Sequence, residues 1–317
     1  LEDYRVSNRK PIVVVGSVNA DLVATVEHIP HVGETITGNS FQIHPGGKGA
    51  NQAVAVARLG YPVKMIGRLG NDAYGEQLRS HLKTAGVDTK CVSSAEGSSG
   101  TALILVSSTG ENCIVVIPGA NGLVSAADIE ANLATIRQAG MVLAQLEIPI
   151  ETVVHLAEVC SREGIPLMLD PAPAVTLPRK LLKSVTWFTP NETEAAFFVR
   201  DLAPSAQAQS PSEIATALRA AGLQSVVLKL GSRGAFLRSV NTEAQVVSFP
   251  VTAIDSTAAG DTFNGAFATG LMLGKTEAES ARFGAAAAAI SVTRAGAQPS
   301  MPNLAEVNAL LGENRQQ

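Results

Sequence analysis

The sequence predicts an α/β protein: a mostly parallel sheet with helices on both faces, plus a small β-sheet lid. Three observations carry that expectation. Short, continuously apolar, β-branched runs alternate with longer stretches at helical period, the pattern of strands buried on both faces. The length of 317 residues allows one large α/β domain or two smaller ones, with a core that needs no cross-links. Two stretches break the alternation and read as hairpin-like pieces, of the kind that form a separate sheet at the mouth of a site.

In chain order, Ile12 to Val18 reads as the first buried strand and Ala50 to Leu59 as a helix. Val63 to Arg68 is strand-like, and Tyr74 to Thr84 is amphipathic at helical period. The alternation returns with Met141 to Gln145, Glu151 to Arg162, Pro166 to Leu169, Val185 to Thr189 and Ser225 to Leu230. Ser210-Pro211-Ser212-Glu213 has capping-box spacing with proline at the first helical position, so a helix opens there. Three helices close the chain, near Asp261 to Leu273, Thr276 to Thr293 and Leu304 to Leu311. The irregular stretches are Leu22 to Ile43 and Thr101 to Ile117, the latter two strands joined by the turn Ser-Thr-Gly-Glu. Arg200 to Gln209 is polar and alanine-rich and reads as a surface loop.

Composition narrows the function. Apolar residues make up 46% and aromatics 4%, too apolar for disorder and too poor in aromatic platforms for stacking on nucleic acid. A net charge of −4 supplies no field for a polyanion. Cys91, Cys113 and Cys160 show no CxxC spacing, so they are expected as reduced thiols rather than a disulfide or zinc framework. The five histidines show no metalloprotease spacing, and no GxSxG elbow is present. A charged, polar beginning and the lack of any run of 18 apolar residues give the expectation of a cytoplasmic protein without signal peptide or membrane span.

Four motifs bear on chemistry. GGKGAN at Gly46 to Asn51 fails both the P-loop and the dinucleotide spacings, leaving either a structural turn or a close backbone approach to a ligand before a helix. In DSTAAGDTFNGAF, Asp255 to Phe267, small residues lead into a helix with Asp261 in its first turn. That carboxylate either complements the helix dipole or serves as a base beside an anion hole. Asn191 and Glu194 of NETE either cap a helix or order the water shell of a magnesium ion. LGSRG, Leu230 to Gly234, is either a tight hairpin turn or a phosphate clamp.

Taken together, GSVNADL, PGGKGANQAVAVARLG, TPNETE, KLGSRG and DSTAAGDTFNGAF stand in the order found in the ribokinase family of carbohydrate kinases. The resemblance runs from about Ile12 to Pro302 and includes TRAGAQPSMP. It implies one domain over residues 1–317, a Rossmann-like core, and a discontinuous lid over about 20–45 and 100–118 that also forms a homodimer contact. The implied activity is phosphotransfer from ATP, with Mg²⁺, to the 5-hydroxyl of D-ribose. By matching position, Asn19, Asp21, Gly47, Lys48, Asn51 and Glu147 would hold the sugar. Asp261 would be the base, with Ala258, Ala259 and Gly260 as the anion hole. Asn191 and Glu194 would lie by Mg²⁺ and the phosphates, and Lys229, Leu230, Gly231, Ser232, Arg233 and Gly234 along the nucleotide. A K⁺ site would be built by Asp255, Thr257, Ser291, Arg294, Gly296 and Ser300, mostly through backbone oxygens. Two positions depart from the pattern: Asp170, where asparagine is common, and Ala285, where a polar residue often borders the adenine. The competing readings are a kinase of 2-deoxyribose, a hexose or a nucleoside, and a binding regulator that has lost catalysis.

Overall fold

The computed structural model of the chain describes residues 9–206 and 208–312. Its strands are β1 (Ile12–Val15), β2 (Asn19–Val26), β3 (Ser40–Gly46), β4 (Val63–Gly70), β5 (Asp88–Ala95), β6 (Gly100–Ser107) and β7 (Asn112–Ile117). They continue with β8 (Met141–Ala144), β9 (Leu167–Leu169), β10 (Trp187–Phe188), β11 (Ser225–Lys229), β12 (Ala235–Arg238) and β13 (Glu243–Val246). Nine of them form one sheet in the order β13-β12-β11-β10-β9-β8-β1-β4-β5. From β11 to β5 every neighbouring pair is parallel, while β12 and β13 extend that edge as antiparallel hairpin strands.

The apolar runs fill both sides of this sheet. Val13, Val15, Val142, Ala144, Leu167 and Leu169 point into one core, which the helices Ile150–Glu163, Glu192–Leu202 and Pro211–Ala220 cover. Ile12, Val14, Met141, Leu143 and Met168 point into the other, under Lys48–Arg58, Ala259–Met272 and Glu277–Ser291. Burial on both faces removes any polar alternation from these strands, which is why they read as uninterrupted apolar runs. On the second face two helices come unusually close. A Cβ on Gly265 would stand 2.6 Å from Ala55 Cβ, so glycine there lets Ala259–Met272 lie against Lys48–Arg58.

β1 has β4 on one side and β8 on the other, so the strand order reverses there. Ligands of open α/β sheets bind beyond the carboxyl ends of the strands at such a reversal. Ser17, Glu147, Asp170, Asn191 and Lys229 stand at or just past the carboxyl ends of β1, β8, β9, β10 and β11.

The two irregular stretches form a second sheet, ordered β3-β2-β6-β7. Register places His44, Asp21, Ala102 and Val116 in one row, with Ile43, Leu22, Leu103 and Val115 in the adjacent row on the opposite face. This is the lid that the sequence predicts.

Boundaries shift in physically intelligible ways. The helix Lys48–Arg58 starts two residues earlier than its apolar pattern, and helix Glu192–Leu202 takes Arg200–Leu202 from the predicted loop. Of that loop, Gln207 lies outside the described residues, as do 1–8 and 313–317 of the predicted domain. β5 is missing from the sequence reading, because an edge strand of composition DTKCVSSA has too few apolar residues to announce itself. No helix among the described residues is long and apolar enough to cross a membrane.

Candidate active site

Asp261 is the hinge of the site. It sits in the first turn of Ala259–Met272, where helix N–H groups face outward and favour negative charge. Ala258, at the N-cap, has φ 56° and is the one non-glycine residue in the left-handed region among the described residues. Such a conformation is costly for a residue with a Cβ and recurs where function demands a particular backbone path. The Ala259 N–H turns back to the Ser256 oxygen at 3.2 Å.

Both carboxylate oxygens of Asp261 are held. Asn51 Nδ2 donates to Oδ2 at 3.0 Å and Gln52 Nε2 to Oδ1 at 3.1 Å. Burial pushes the Asp261 carboxyl up to about 6, with Asp170 adding to the rise and Lys48 and the two amides opposing it. A carboxyl with that value is ionised at neutral pH yet still basic enough to accept a proton.

Next to Asp261 lies a polar cluster. Gly47 holds φ 87°, and a Cβ there would reach 2.7 Å from the Asn19 nitrogen, so only glycine lets the loop pass β2. Glu147 Oε2 accepts from the Lys48 N–H at 3.0 Å and from Ser17 Oγ at 2.5 Å. Burial works against the Lys48 ammonium, but the carboxylates of Asp261, Glu147, Asp170 and Glu194 outweigh it and keep the group charged. Asp21 is pushed up to about 7 by burial and then by the charges of Glu147 and Asp261. Asn19 Oδ1 accepts from Asn121 Nδ2 at 2.7 Å, which leaves the Asn19 amide nitrogen as the donor on offer. Asn19, Asp21, Gly47, Lys48, Asn51 and Glu147 therefore belong to one polar cluster beside Asp261.

On the other side of Gly260 opens a pocket of about 600 Å³. Lys229, Gly231, Ser232 and Gly234 line it, and so does Ala285. Leu230 is instead buried, and Arg233 turns outward to pair with Glu192, so neither side chain lines the pocket. Much of the wall comes from Val247, Phe249, Pro250 and Val251, a segment with no motif that could have disclosed it. Lys229 Nζ lies 3.3 Å from where a Cβ on Gly260 would stand, and pairs with Asp170 at 2.8 Å. The departure at Asp170 thus has a neighbouring cation to balance it.

Asn191 and Glu194 form a reciprocal cap, with Glu194 N–H donating to Asn191 Oδ1 and Asn191 N–H to Glu194 Oε2, each at 2.8 Å. Burial raises the Glu194 carboxyl against the pull of Lys229, so it faces the same charged interior. In the predicted cation site, Asp255 accepts from the Thr257 N–H at 2.9 Å and the Gly296 N–H at 2.8 Å, clasping the two loops together. The Ser291 and Ser300 hydroxyls donate to the carbonyls of Ala288 and Ala297, and the Arg294 guanidinium pairs with Glu306. Ser17, Gln52, Asn121, Gln145 and Gln298, all buried beside these groups, were not singled out from the sequence; for Gln52 and Gln145 the one signal was an amide next to an apolar run.

A buried carboxylate at a helix N-terminus, between a polar cluster and a largely apolar pocket, is the arrangement that a phosphotransferase acting on a hydroxyl requires. The chain belongs to the pfkB family of carbohydrate kinases, whose family model matches residues 9–304. It is 43% identical over 302 residues to the ribokinase of Bacillus subtilis, with 95% of this chain and 99% of that protein covered. The ribokinase of Thermotoga maritima has the same architecture, with a TM-score of 0.89 and 38% identity over 95% of this chain and 99% of that one. The ribokinase of Arabidopsis thaliana, solved in complex with ribose and ATP, gives a TM-score of 0.87 at 36% identity over 96% and 99%.

Proposed function

We propose that this chain transfers the γ-phosphoryl group of ATP to the 5-hydroxyl of D-ribose, giving ribose 5-phosphate and ADP. The observation that carries the reading is the place of Asp261, which borders the polar recess through Asn51 and the apolar pocket through Gly260. In the recess Asn19, Asp21, Lys48, Asn51 and Glu147 provide the donors and acceptors that a sugar's hydroxyls require. Gly47 lets the backbone come close to the ring. The pocket suits a flat, partly apolar base, with the loop Lys229 to Gly234 running beside the phosphates.

In the proposed mechanism Asp261 accepts the proton of the sugar hydroxyl as that oxygen attacks phosphorus. The backbone of Ala258, Ala259 and Gly260, at the positive end of the helix, holds the charge of the transferring group. Lys48 keeps its charge and steadies the carboxylates around it. Excluding water, the lid suppresses hydrolysis of ATP.

The residues fit two ions. Glu194 is a partly buried carboxylate beside Asp170, and with Asn191 it offers hard oxygens suited to the water shell of Mg²⁺. When bound, that ion neutralises charge on the phosphates. Peptide oxygens of Asp255, Thr257, Ser291, Arg294, Gly296 and Ser300 come from two loops already clasped by Asp255, a donor set suited to K⁺. The lid exposes Phe41, Ile43, Leu103, Val115 and Ile117, a patch of the kind that pairs with a second copy, so a homodimer through the lid is part of the proposal.

The test is ADP release with Mg²⁺-ATP and K⁺ in the presence of D-ribose, 2-deoxyribose, fructose or adenosine, with Asp261→Asn as control. Release that depends on ribose and is abolished in the control is expected. Turnover of another acceptor moves the sugar assignment alone. Stabilisation by ribose with no release under any condition supports the regulator reading instead.

A further inference from the structure

We propose that Gln52, locked by Gln145, is the positioning residue of the catalytic carboxylate and ties it to the Asp170–Lys229 pair at the phosphate end of the site. The proposal rests on Asp261 being the base. A carboxylate receives a proton efficiently only if one oxygen is aimed at the incoming hydroxyl, and a small misplacement costs much of the rate. Nothing covalent fixes that aim in Asp261; hydrogen bonds must.

A side-chain amide has a donating end and an accepting end of similar shape, and which end faces a carboxylate depends on what occupies the other. Gln145 Nε2 donates to Gln52 Oε1 at 2.6 Å, so the NH₂ group of Gln52 is turned toward the acids. That one nitrogen then serves two carboxylates, Asp261 Oδ1 at 3.1 Å and Asp170 Oδ2 at 2.9 Å. Asp170 Oδ1 in turn accepts from Lys229 Nζ at 2.8 Å. A parallel arm reaches the other oxygen of the base: Gln298 Nε2 donates to Asn51 Oδ1 at 3.0 Å, and Asn51 donates to Asp261 Oδ2.

Gln52 and Gln145 are almost completely buried, and Gln145 Oε1 has no hydrogen-bond partner. An unpaired buried acceptor is a standing cost, tolerated here where the donating end of the same amide sets the orientation of Gln52. The charged groups facing Asp261 are Lys48, Asp170 and Asp21, with Lys229 acting through Asp170. Gln52 is the neutral group that lets two of these acids lie side by side in a fixed geometry.

The experiment compares Gln52→Leu and Gln145→Leu with wild type and Asp261→Asn in the full chain. Rates with ribose and Mg²⁺-ATP are measured from about pH 5 to 9, so that the acid limb of the profile is resolved. For Gln52→Leu the expected result is a kcat lower by roughly 10²-fold with both KM values within about threefold of wild type. The acid limb moves to higher pH, because the charged form of Asp261 loses a donor. Gln145→Leu touches neither acid and gives the same pattern in weaker form; it decides the matter if Gln52→Leu does not fold. Wild-type kcat and an unmoved acid limb in both variants, with Asp261→Asn inactive, overturn the positioning role alone. Loss of kcat with an unmoved limb also overturns it, since that is what a structural defect produces. Normal turnover by Asp261→Asn overturns the assignment of the base itself.

Discussion

The two halves of the site are built on opposite principles. The half beside Asp261, which we propose takes the sugar, is crowded with buried or part-buried polar groups that hold one another: Asn19 by Asn121, Lys48 by Glu147, and Asp261 by Asn51 and Gln52. The half beyond Gly260, proposed for the nucleotide, is a roomy pocket whose walls are mostly small and apolar residues, such as Ala259, Ala285, Ala288, Val251 and Val292. A site made to hydrogen-bond particular hydroxyls leaves its own groups unpaired when one is missing, whereas an apolar wall forgives small changes. Selectivity should therefore lie with the acceptor rather than with the base of the nucleotide.

The largest effect that would break this contrast concerns the acceptor. Asn19 offers its amide nitrogen and Asp21 its carboxyl to the recess, so 2-deoxyribose should be disfavoured in kcat/KM by roughly 10⁴ relative to ribose. Equal turnover of the two sugars, measured by coupled ADP release, would show that the polar recess does not read that hydroxyl. Next in size is Asp261→Asn, which keeps the shape and removes the base. It should lower kcat by at least ~10² while leaving sugar and nucleotide binding near wild type by calorimetry. On the nucleotide side the effect should be smaller and of another kind. Ala285→Leu fills pocket volume and should raise KM for ATP by about tenfold with kcat little changed, the mark of uniform binding lost; a matching fall in kcat would mean that the adenine wall also sets the phosphates.

Acidity sharpens the contrast, because activity and stability run in opposite directions. Asp261 and Asp21 rise from 3.8 to about 6 and about 7, so both are ionised only toward neutral pH. The expected kcat/KM falls as pH drops through that window, as the base becomes protonated. Stability has the other sign: a carboxyl whose folded value is raised contributes stability fully present below its unfolded value and lost as pH climbs through 6 to 7. Thermal unfolding of the ligand-free protein should accordingly show a fall in Tm across this window, reduced in Asp261→Asn. A Tm that rises instead would mean that partners of these acids, Lys48 foremost, outweigh their burial.

What the sequence disclosed, and what it did not, follows the same division. Buried strands such as Ile12–Val15 and Met141–Ala144 are legible because burial on both faces writes an apolar run into the chain. Asp261 and the Gly46–Asn51 loop stand out in the sequence because small residues next to a helix start let backbone come close to its neighbours, as at Gly47 against β2. Gln52, Gln145 and Gln298 were passed over because an amide's role depends on which neighbours meet its two ends, and the pairs Gln52–Gln145 and Asn51–Gln298 lie 93 and 247 positions apart in the chain. Arg233 is the reverse case: its place in LGSRG suggests a nucleotide contact, whereas in the structure its side chain pairs with Glu192. The wall from Val247 to Val251 has no composition that marks it, since any small apolar loop could line that space.

The smallest expected effect tests the loops rather than the reacting groups. Asp255 ties Thr257 to Gly296, and this clasp stands three residues before Ala258, whose left-handed backbone begins the proposed anion hole. A potassium ion among the peptide oxygens of these loops would hold the path through Ala258 without touching the sugar or the base. Replacing K⁺ by Na⁺ or Tris should therefore depress kcat by a few-fold to roughly tenfold, as alignment loosens, and should leave KM for ribose nearly unchanged. Asp255→Asn, which keeps an oxygen for one N–H and loses the charge, should blunt that response. Indifference of wild type to the exchange would mean that the clasp alone fixes the anion hole. A change confined to KM for ribose would place the ion's influence in the polar half, against the division on which the other expectations depend.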